Sequence, residues 1–343
     1  MAIRKERLDV FRKYLDEAER PLFFFDDDPD GLCSFLLLYR YKKTGNGVII
    51  KSTPELNESF KRKVDEYNPD YVFVLDKPMI SQEFIDSVDV PIIWLDHHAP
   101  VKREGVEYFN PRLDDDGDGR PTSYWAYKIV QRDNWLGVAG CVGDFHVPDF
   151  ASEFEYTDLL PRVYNTPEKI LFDTKLGDFI RLLSFIMKGK ASDAMKNIKV
   201  LSRIDDPEEI MFKRSKQGNF LYKNYSKLKE LYDTMLKEAL SKYDESDSLL
   251  VYTYKDDRMS FTSDLSNEVL FWHPEKIVIV GRLKGGEYKC SVRSAQNPIE
   301  PILQIALEGI DGLAGGHPMA CGACISQDSF QEFLRRLRSQ LKN

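Results

Sequence analysis

The chain has 343 residues, 48 of them Lys or Arg and 56 Asp or Glu, for a formal net charge of -8. That length accommodates about two domains with cores of their own, and the acidic balance excludes a global basic field of the kind that attracts nucleic acid, leaving only local basic sites. With no apolar run of roughly 18 residues, no charged-then-apolar leader and five scattered cysteines (Cys33, Cys141, Cys290, Cys321, Cys324), the expectation is a cytoplasmic protein with reduced thiols and no membrane contact.

In chain order, residues 1–150 alternate β-rich runs with helical stretches. The candidate strands are "PLFFFDD", "GVIIKS", "DYVFVLD", "VPIIWLDHH" and "GVAGCVGD", with a helix over "GLCSFLLLYRYK". This predicts an α/β domain with a largely parallel sheet, covered on both faces where the strands are continuously apolar. Residues 151–247 read as a helical connector, as in "LGDFIRLLSFIMKG" and "NYSKLKELYDTMLKEALSKY". Strands return over 248–343 in "LLVYTY", "KIVIVGRL" and "EYKCSVRS", followed by the glycine-rich "GLAGGHPMACGA" and an amphipathic helix, "SFQEFLRRLRSQL". The carboxyl-terminal part is therefore a smaller α/β domain.

Three early strands end in aspartate, and ligands of open α/β sheets bind beyond the carboxyl ends of the strands. Asp26 to Asp30, Asp76, and Asp96 with His97 and His98 are expected to converge there. In an extended segment Asp26, Asp28 and Asp30 would share one side, with Asp27 facing elsewhere. Crowded carboxylates raise one another's pKa unless a cation balances them, and hard oxygen ligands with imidazole suit Mn2+ or Mg2+.

"DDDPDG" at 26–31 and "DDDGDG" at 114–119 both open like a calcium loop, but Leu37 and Trp125 stand where its closing glutamate belongs. For "DDDGDG" a solvated acidic turn suffices; for "DDDPDG" a helix cap accounts for one aspartate and not for three. Gly315 and Gly316 read as a turn or as a close approach to phosphate, with His317 beside them. The pair Cys321 and Cys324 lacks the second pair that a structural zinc site would need.

"DDDPDG", "VLD" ending at Asp76, "LDHH", and "GCVGD" ending at Asp144, in this order and spacing, resemble the motifs of the DHH phosphoesterase superfamily, in its RecJ-like branch. "CSVRS" and "AGGHPMACGA" resemble its associated nucleic-acid-binding domain. The resemblance implies a DHH catalytic domain over 1–150 and a substrate-binding domain over 248–343, with substrate lying between them. It implies two Mn2+ ions, with Mg2+ as the other candidate: Asp28, Asp76 and Asp26 on one, and Asp30, Asp76, His97 and Asp144 on the other, Asp76 bridging. His98 would face the scissile phosphate and Asp96 would orient the histidine pair, while Arg293, Ser294, Gly315, Gly316 and His317 would hold the nucleic-acid backbone or terminal nucleotide. The implied activity is exonucleolytic hydrolysis of single-stranded DNA or RNA to mononucleotides, in association with replication or repair proteins. The alternatives are a phosphoesterase of short oligonucleotides, small nucleotides or cyclic dinucleotides, and a non-catalytic replication-fork scaffold.

Overall fold

A computed structural model describes residues 3–51, 55–255 and 259–341. Packing divides the chain into two units, Met1–Tyr225 and Ser226–Asn343.

The first unit is built on strands β1 (Pro21–Asp26), β2 (Asn46–Ile50), β4 (Tyr71–Leu75), β6 (Ile92–Leu95) and β7 (Glu107–Phe109), all parallel in the order β2-β1-β4-β6-β7. Two-residue strands β3 (Glu55–Leu56) and β5 (Met79–Ile80) pair separately. The chain leaves β1 toward β2, then crosses back to β4 on the other side of β1. The sheet order therefore reverses between β1 and β4, which places the ligand crevice at their carboxyl ends.

Aromatic side chains fix the strand faces. Phe23, Phe24 and Phe25 are all fully buried. Phe23 and Phe25 pack on Phe35 of the following helix, while Phe24 meets Phe60 and Phe84 on the opposite face. Each such burial contributes roughly 1.5 to 3 kcal/mol of transfer free energy. A sheet covered on both faces explains why these strands carry no polar alternation.

"GVAGCVGD" is not a strand. Residues Asn134–Gly143 form an α-helix that ends at Asp144. A short apolar run does not distinguish a buried helix from a buried strand, and the glycines at 137, 140 and 143 let this helix pack closely on its neighbours. They lie three apart along it, and a Cβ at Gly140 would come within 2.5 to 2.8 Å of Ser123 and Cys33. The glycines are a packing seam against the helices Pro29–Lys42 and Thr122–Val130.

Residues 151–225 contribute helices including Lys175–Ile186 and Ala191–Leu201, which pack within the first unit. The helix Lys216–Leu240 carries the chain from one unit to the next.

The second unit contains β8 (Leu249–Lys255), β9 (Ile277–Lys284), β10 (Glu287–Arg293), β11 (Gly312–His317) and β12 (Ala320–Ser326), in the order β11-β12-β10-β9-β8. Only β8 and β9 are parallel. The helix Phe330–Gln340 buries Phe330, Phe333, Leu334 and Leu337 on one side, as its apolar spacing predicts. The glycine run lies in an edge strand rather than a turn. Cys321 and Cys324 sit three apart on β12, hence on opposite faces, and Cys321 is buried. Among the described residues no helix is long and apolar enough to cross a membrane.

Candidate metal centre

The carboxylates at the tip of β1 occupy four different environments. Asp26 ends the strand, and its Oδ1 accepts from Lys77 Nζ and from the Asp27 amide, each at 2.9 Å. Burial pushes its carboxyl up to about 6, with Lys77 opposing and Asp76 adding to the rise. Asp27 also rises through burial, against the pull of Lys51, Lys77 and Lys188. The extended spacing stops at this point, because Asp28 already caps the helix Pro29–Lys42, its Oδ1 accepting from the Gly31 amide at 2.9 Å. Solvent reaches Asp28, yet protein walls crowd it on its other sides; withdrawal from bulk water and repulsion from Asp76, Asp26 and Asp30 push it well up.

Asp30 is buried within the first turn of that helix. Its two oxygens accept from the backbone amides of Thr122 and Ser123, each at 2.8 Å. The carboxylate thus sits at the amino terminus of the helix Thr122–Val130, where the helix dipole favours it. The helix Pro29–Lys42 and β1 approach so closely that a Cβ at Gly31 would lie 2.8 Å from the Asp26 amide nitrogen.

Asp76 follows β4 in the left-handed region, at φ 58°, a conformation rare outside glycine and frequent at functional sites. Its amide is anchored to the Leu95 carbonyl at 2.9 Å, and its Oδ1 accepts from Thr122 Oγ1 at 3.1 Å. Burial would raise its carboxyl, but the hydrogen bond from His97 and the two histidines outweigh burial and hold it below the ordinary range.

His97 is the convergence point. Its Nε2 lies 3.4 Å from Asp76 Oδ1, 3.7 Å from Asp144 Oδ2 and 3.9 Å from Asp30 Oδ2. Burial alone would push the imidazole down; the bond to Asp76 and the fields of Asp76, Asp30 and Asp144 instead carry it up to about 11. Asp144 arrives from the carboxyl end of a helix, where the dipole disfavours an anion. Burial pushes it up to about 6, with His97 opposing and Asp76 reinforcing. Without metal, a proton on His97 answers three carboxylates.

Ligand atoms of Asp30, His97 and Asp144 lie within 4.8 Å of one another, as do those of Asp76, His97 and His98. This set of carboxylates and imidazoles fits a hard divalent cation. Asp26 and Asp28 adjoin these groups through Asp76 without entering either one. His98 Nδ1 is 2.8 Å from Asp96 Oδ1. The fully buried Asp96 also accepts from the His98 amide at 3.2 Å, Tyr108 Oη at 3.1 Å and Asn110 Nδ2 at 3.2 Å. Burial would lower His98, but the bond to Asp96 and the fields of Asp76 and Asp96 raise it.

A family model, the DHH family N-terminal domain, matches residues 22–150. The chain carries a DHH family domain. No curated protein shows significant sequence similarity to it. RecJ from Thermus thermophilus, solved in complex with Mn2+, is 18% identical with TM-score 0.67 over 98% of this chain and 54% of that one, so this chain spans about half the length of that protein. The pGpG-specific phosphodiesterase PggH from Vibrio cholerae is 14% identical, TM-score 0.54, over 94% and 99% of the two chains. CDC45 from Entamoeba histolytica is 10% identical, TM-score 0.52, over 99% and 98%. At these identities the likeness is one of fold.

Beside the DHH domain's aspartates and histidines stand residues that sequence reasoning did not single out. Thr122 and Ser123 orient Asp30, Tyr108 and Asn110 hold Asp96, and Lys77 pairs with Asp26. Thr122, Ser123, Tyr108 and Asn110 act through common backbone and side-chain groups and carry no motif. Lys77 had one signal, its place directly after Asp76.

In the second unit, Arg293 and His317 both pair in register with Ala320, one on each side of β12, so they lie on one face at one end of the sheet. The Arg293 guanidinium donates to Asn267 Oδ1 at 2.7 Å, Ser263 Oγ at 3.2 Å and the Cys321 carbonyl at 3.3 Å. Gly315 and Gly316 are exposed on the same edge strand, and Gly316, at φ 140°, is confined to glycine by the Ala320 carbonyl. Ser294 instead turns inward, where its Oγ accepts from the Gln296 and Asn297 amides at 3.3 and 3.2 Å.

Proposed function

We propose that the protein hydrolyses phosphodiester bonds at an end of single-stranded DNA or RNA, releasing mononucleotides, with manganese bound in its DHH domain. The observation that carries this reading is the placement of His97 Nε2 within 3.4 to 3.9 Å of three carboxylates drawn from separate elements. Asp30, Asp76, His97 and Asp144 would hold an ion. The second ion expected from sequence would need Asp26, Asp28 and Asp76. Bound divalent metal supplies an activated water and stabilises charge developing on phosphate oxygens.

The chain's own residues do the rest. Asp30 is locked by two amides and Asp76 by its strained turn, so the ligands are preorganised. Asp96 accepts from His98 Nδ1, which leaves His98 Nε2 to carry a proton toward a phosphate oxygen. Arg293, Gly315, Gly316 and His317, with Ser294 shaping the adjoining turn, would receive the backbone or terminal nucleotide.

Likeness to a pGpG-specific phosphodiesterase over nearly its whole length supports a second reading, hydrolysis of dinucleotides and short oligonucleotides. Likeness to CDC45 favours a replication partner, but the intact carboxylate and histidine set argues against a purely scaffolding role. The test is a panel of single strands and dinucleotides with defined 5′ and 3′ ends, incubated with Mn2+. Stepwise shortening supports the exonuclease, turnover of dinucleotides alone supports the second reading, and no cleavage of any substrate refutes both.

A further inference from the structure

Lys77 is among the most completely buried side chains of the protein, 1% exposed, and its ammonium lies 2.9 Å from Asp26 Oδ1. Its position is fixed from both sides: Asp76 before it is tied to Leu95, and the Lys77 carbonyl accepts from Trp94 Nε1 at 2.9 Å. A lysine buried to this degree is stable when paired with an anion, and here the anion is one that a metal would otherwise claim.

We propose that Lys77 is a resident cation of the metal centre: its ammonium answers the Asp26 side of the acidic cluster, so the protein binds one divalent ion tightly, at Asp30, His97, Asp144 and Asp76, and a second only weakly. The inference rests on the metal-centre reading of the DHH domain and concerns how many ions it holds.

The two halves of the cluster differ in what a metal must displace. At the His97 half, the group between the carboxylates is an imidazole whose Nε2 is itself a ligand atom for the ion. At the Asp26 half, Oδ1 already accepts from both Lys77 and the Asp27 amide. An ion held by that carboxylate would have to share it with the ammonium, like charge beside like charge. An ammonium has no lone pair, so it repels the ion and cannot ligate it.

The test is calorimetric titration of the metal-stripped full chain with Mn2+, with electron paramagnetic resonance to distinguish isolated from coupled Mn2+. The expected result for the natural protein is one tight ion and a second bound at least about 100-fold more weakly. Lys77→Met, which keeps the length and removes the charge, should strengthen the second ion by at least about tenfold and produce the coupled signal. Asp26→Asn should leave the tight ion unchanged. Two ions of equal affinity in the natural protein, or a Lys77→Met isotherm identical to it, overturns the role of Lys77 while leaving the phosphoesterase standing. Should Lys77→Met not fold, the natural protein's two affinities decide the matter alone. No binding of Mn2+ at all would overturn the metal-centre reading itself.

Discussion

Replacing Asp96 with asparagine separates the orientation of His98 from the metal ligands. Asp96 divides its contacts: Oδ1 serves His98 Nδ1, whereas Oδ2 serves the His98 amide, Tyr108 Oη and Asn110 Nδ2. An asparagine offers one acceptor oxygen and must turn its NH2 toward one of these two sets of donors. Keeping the oxygen toward the three-donor side points the NH2 at His98 Nδ1 and reverses the proton arrangement of the ring.

A hydrogen bond to a charged partner contributes about 1.5 to 3 kcal/mol. If the whole of that acts on the reacting state, kcat falls by about tenfold to about 150-fold. The donor left facing a donor costs a further 1 to 3 kcal/mol, roughly, in folding, or a fall in Tm of about 2 to 12 °C for a unit of this size. Two readouts isolate orientation from general damage. The His98 imidazole, followed by NMR, should titrate at lower pH than in the natural protein, because the hydrogen bond that raises it is gone. Mn2+ affinity at His97 should change much less than kcat. A folded Asp96→Asn variant with activity within about twofold of the natural protein and an unmoved His98 titration would refute the assigned role.

His97→Ala removes the group shared by both candidate ligand sets and should weaken Mn2+ binding by more than about 100-fold, read by calorimetry. In chelator, ionisation of Asp26 and Asp144 is opposed by the fold, since both titrate near 6 rather than at 3.8. Their contribution to stability is full below about pH 4 and is lost as pH rises through 6, so the Tm gained on adding Mn2+ should grow between pH 4 and pH 7. A gain that shrinks over that interval would contradict the charge assignment. Gly31→Ala drives a Cβ to within 2.8 Å of the Asp26 backbone and should cost about 1 to 3 kcal/mol in thermal unfolding, with loss of Mn2+ binding. His317→Ala should raise KM for nucleic acid and leave the Mn2+ isotherm unchanged; the reverse pattern would place His317 in the metal centre.

The parallel sheet was legible because its strands are apolar on both faces and end in acid, so strand identity and ligand position came from the same few residues around Phe25, Leu75 and Leu95. Asp144 was legible as a ligand candidate only by resemblance; its local structure was misread, since Val138, Ala139, Cys141 and Val142 are equally at home in a buried helix. The glycines between them let the helix pack closely, but their meaning is the nearness of Ser123 and Cys33, a tertiary fact with no trace in local sequence. The spacing argument for Asp26, Asp28 and Asp30 failed for a related reason: Pro29 starts a helix at once, so the three aspartates lie on a strand end, a helix cap and a first helical turn. Lys77 was invisible as a partner because its counterion is 51 positions away.

That local geometry bears on why four acids at one strand tip are tolerable. An extended run would have presented Asp26, Asp28 and Asp30 in a row, with repulsion relieved only by bound ions. The turn into the helix instead sends each to a different source of positive charge: Asp26 to an ammonium, Asp28 to the amide of its own helix, and Asp30 to the amino terminus of another. Two of these sources are backbone amides, which stay fixed whether or not an ion is bound. Asp144 has no such support, ending a helix at its disfavoured pole with only His97 and His98 to draw on. A divalent ion held by Asp144 would supply the positive charge that its helix end does not. Asp144→Asn should consequently raise the Tm of the metal-free protein while weakening Mn2+ binding. A variant that lowers the metal-free Tm would show that the Asp144 carboxylate stabilises the unloaded fold, contrary to this account.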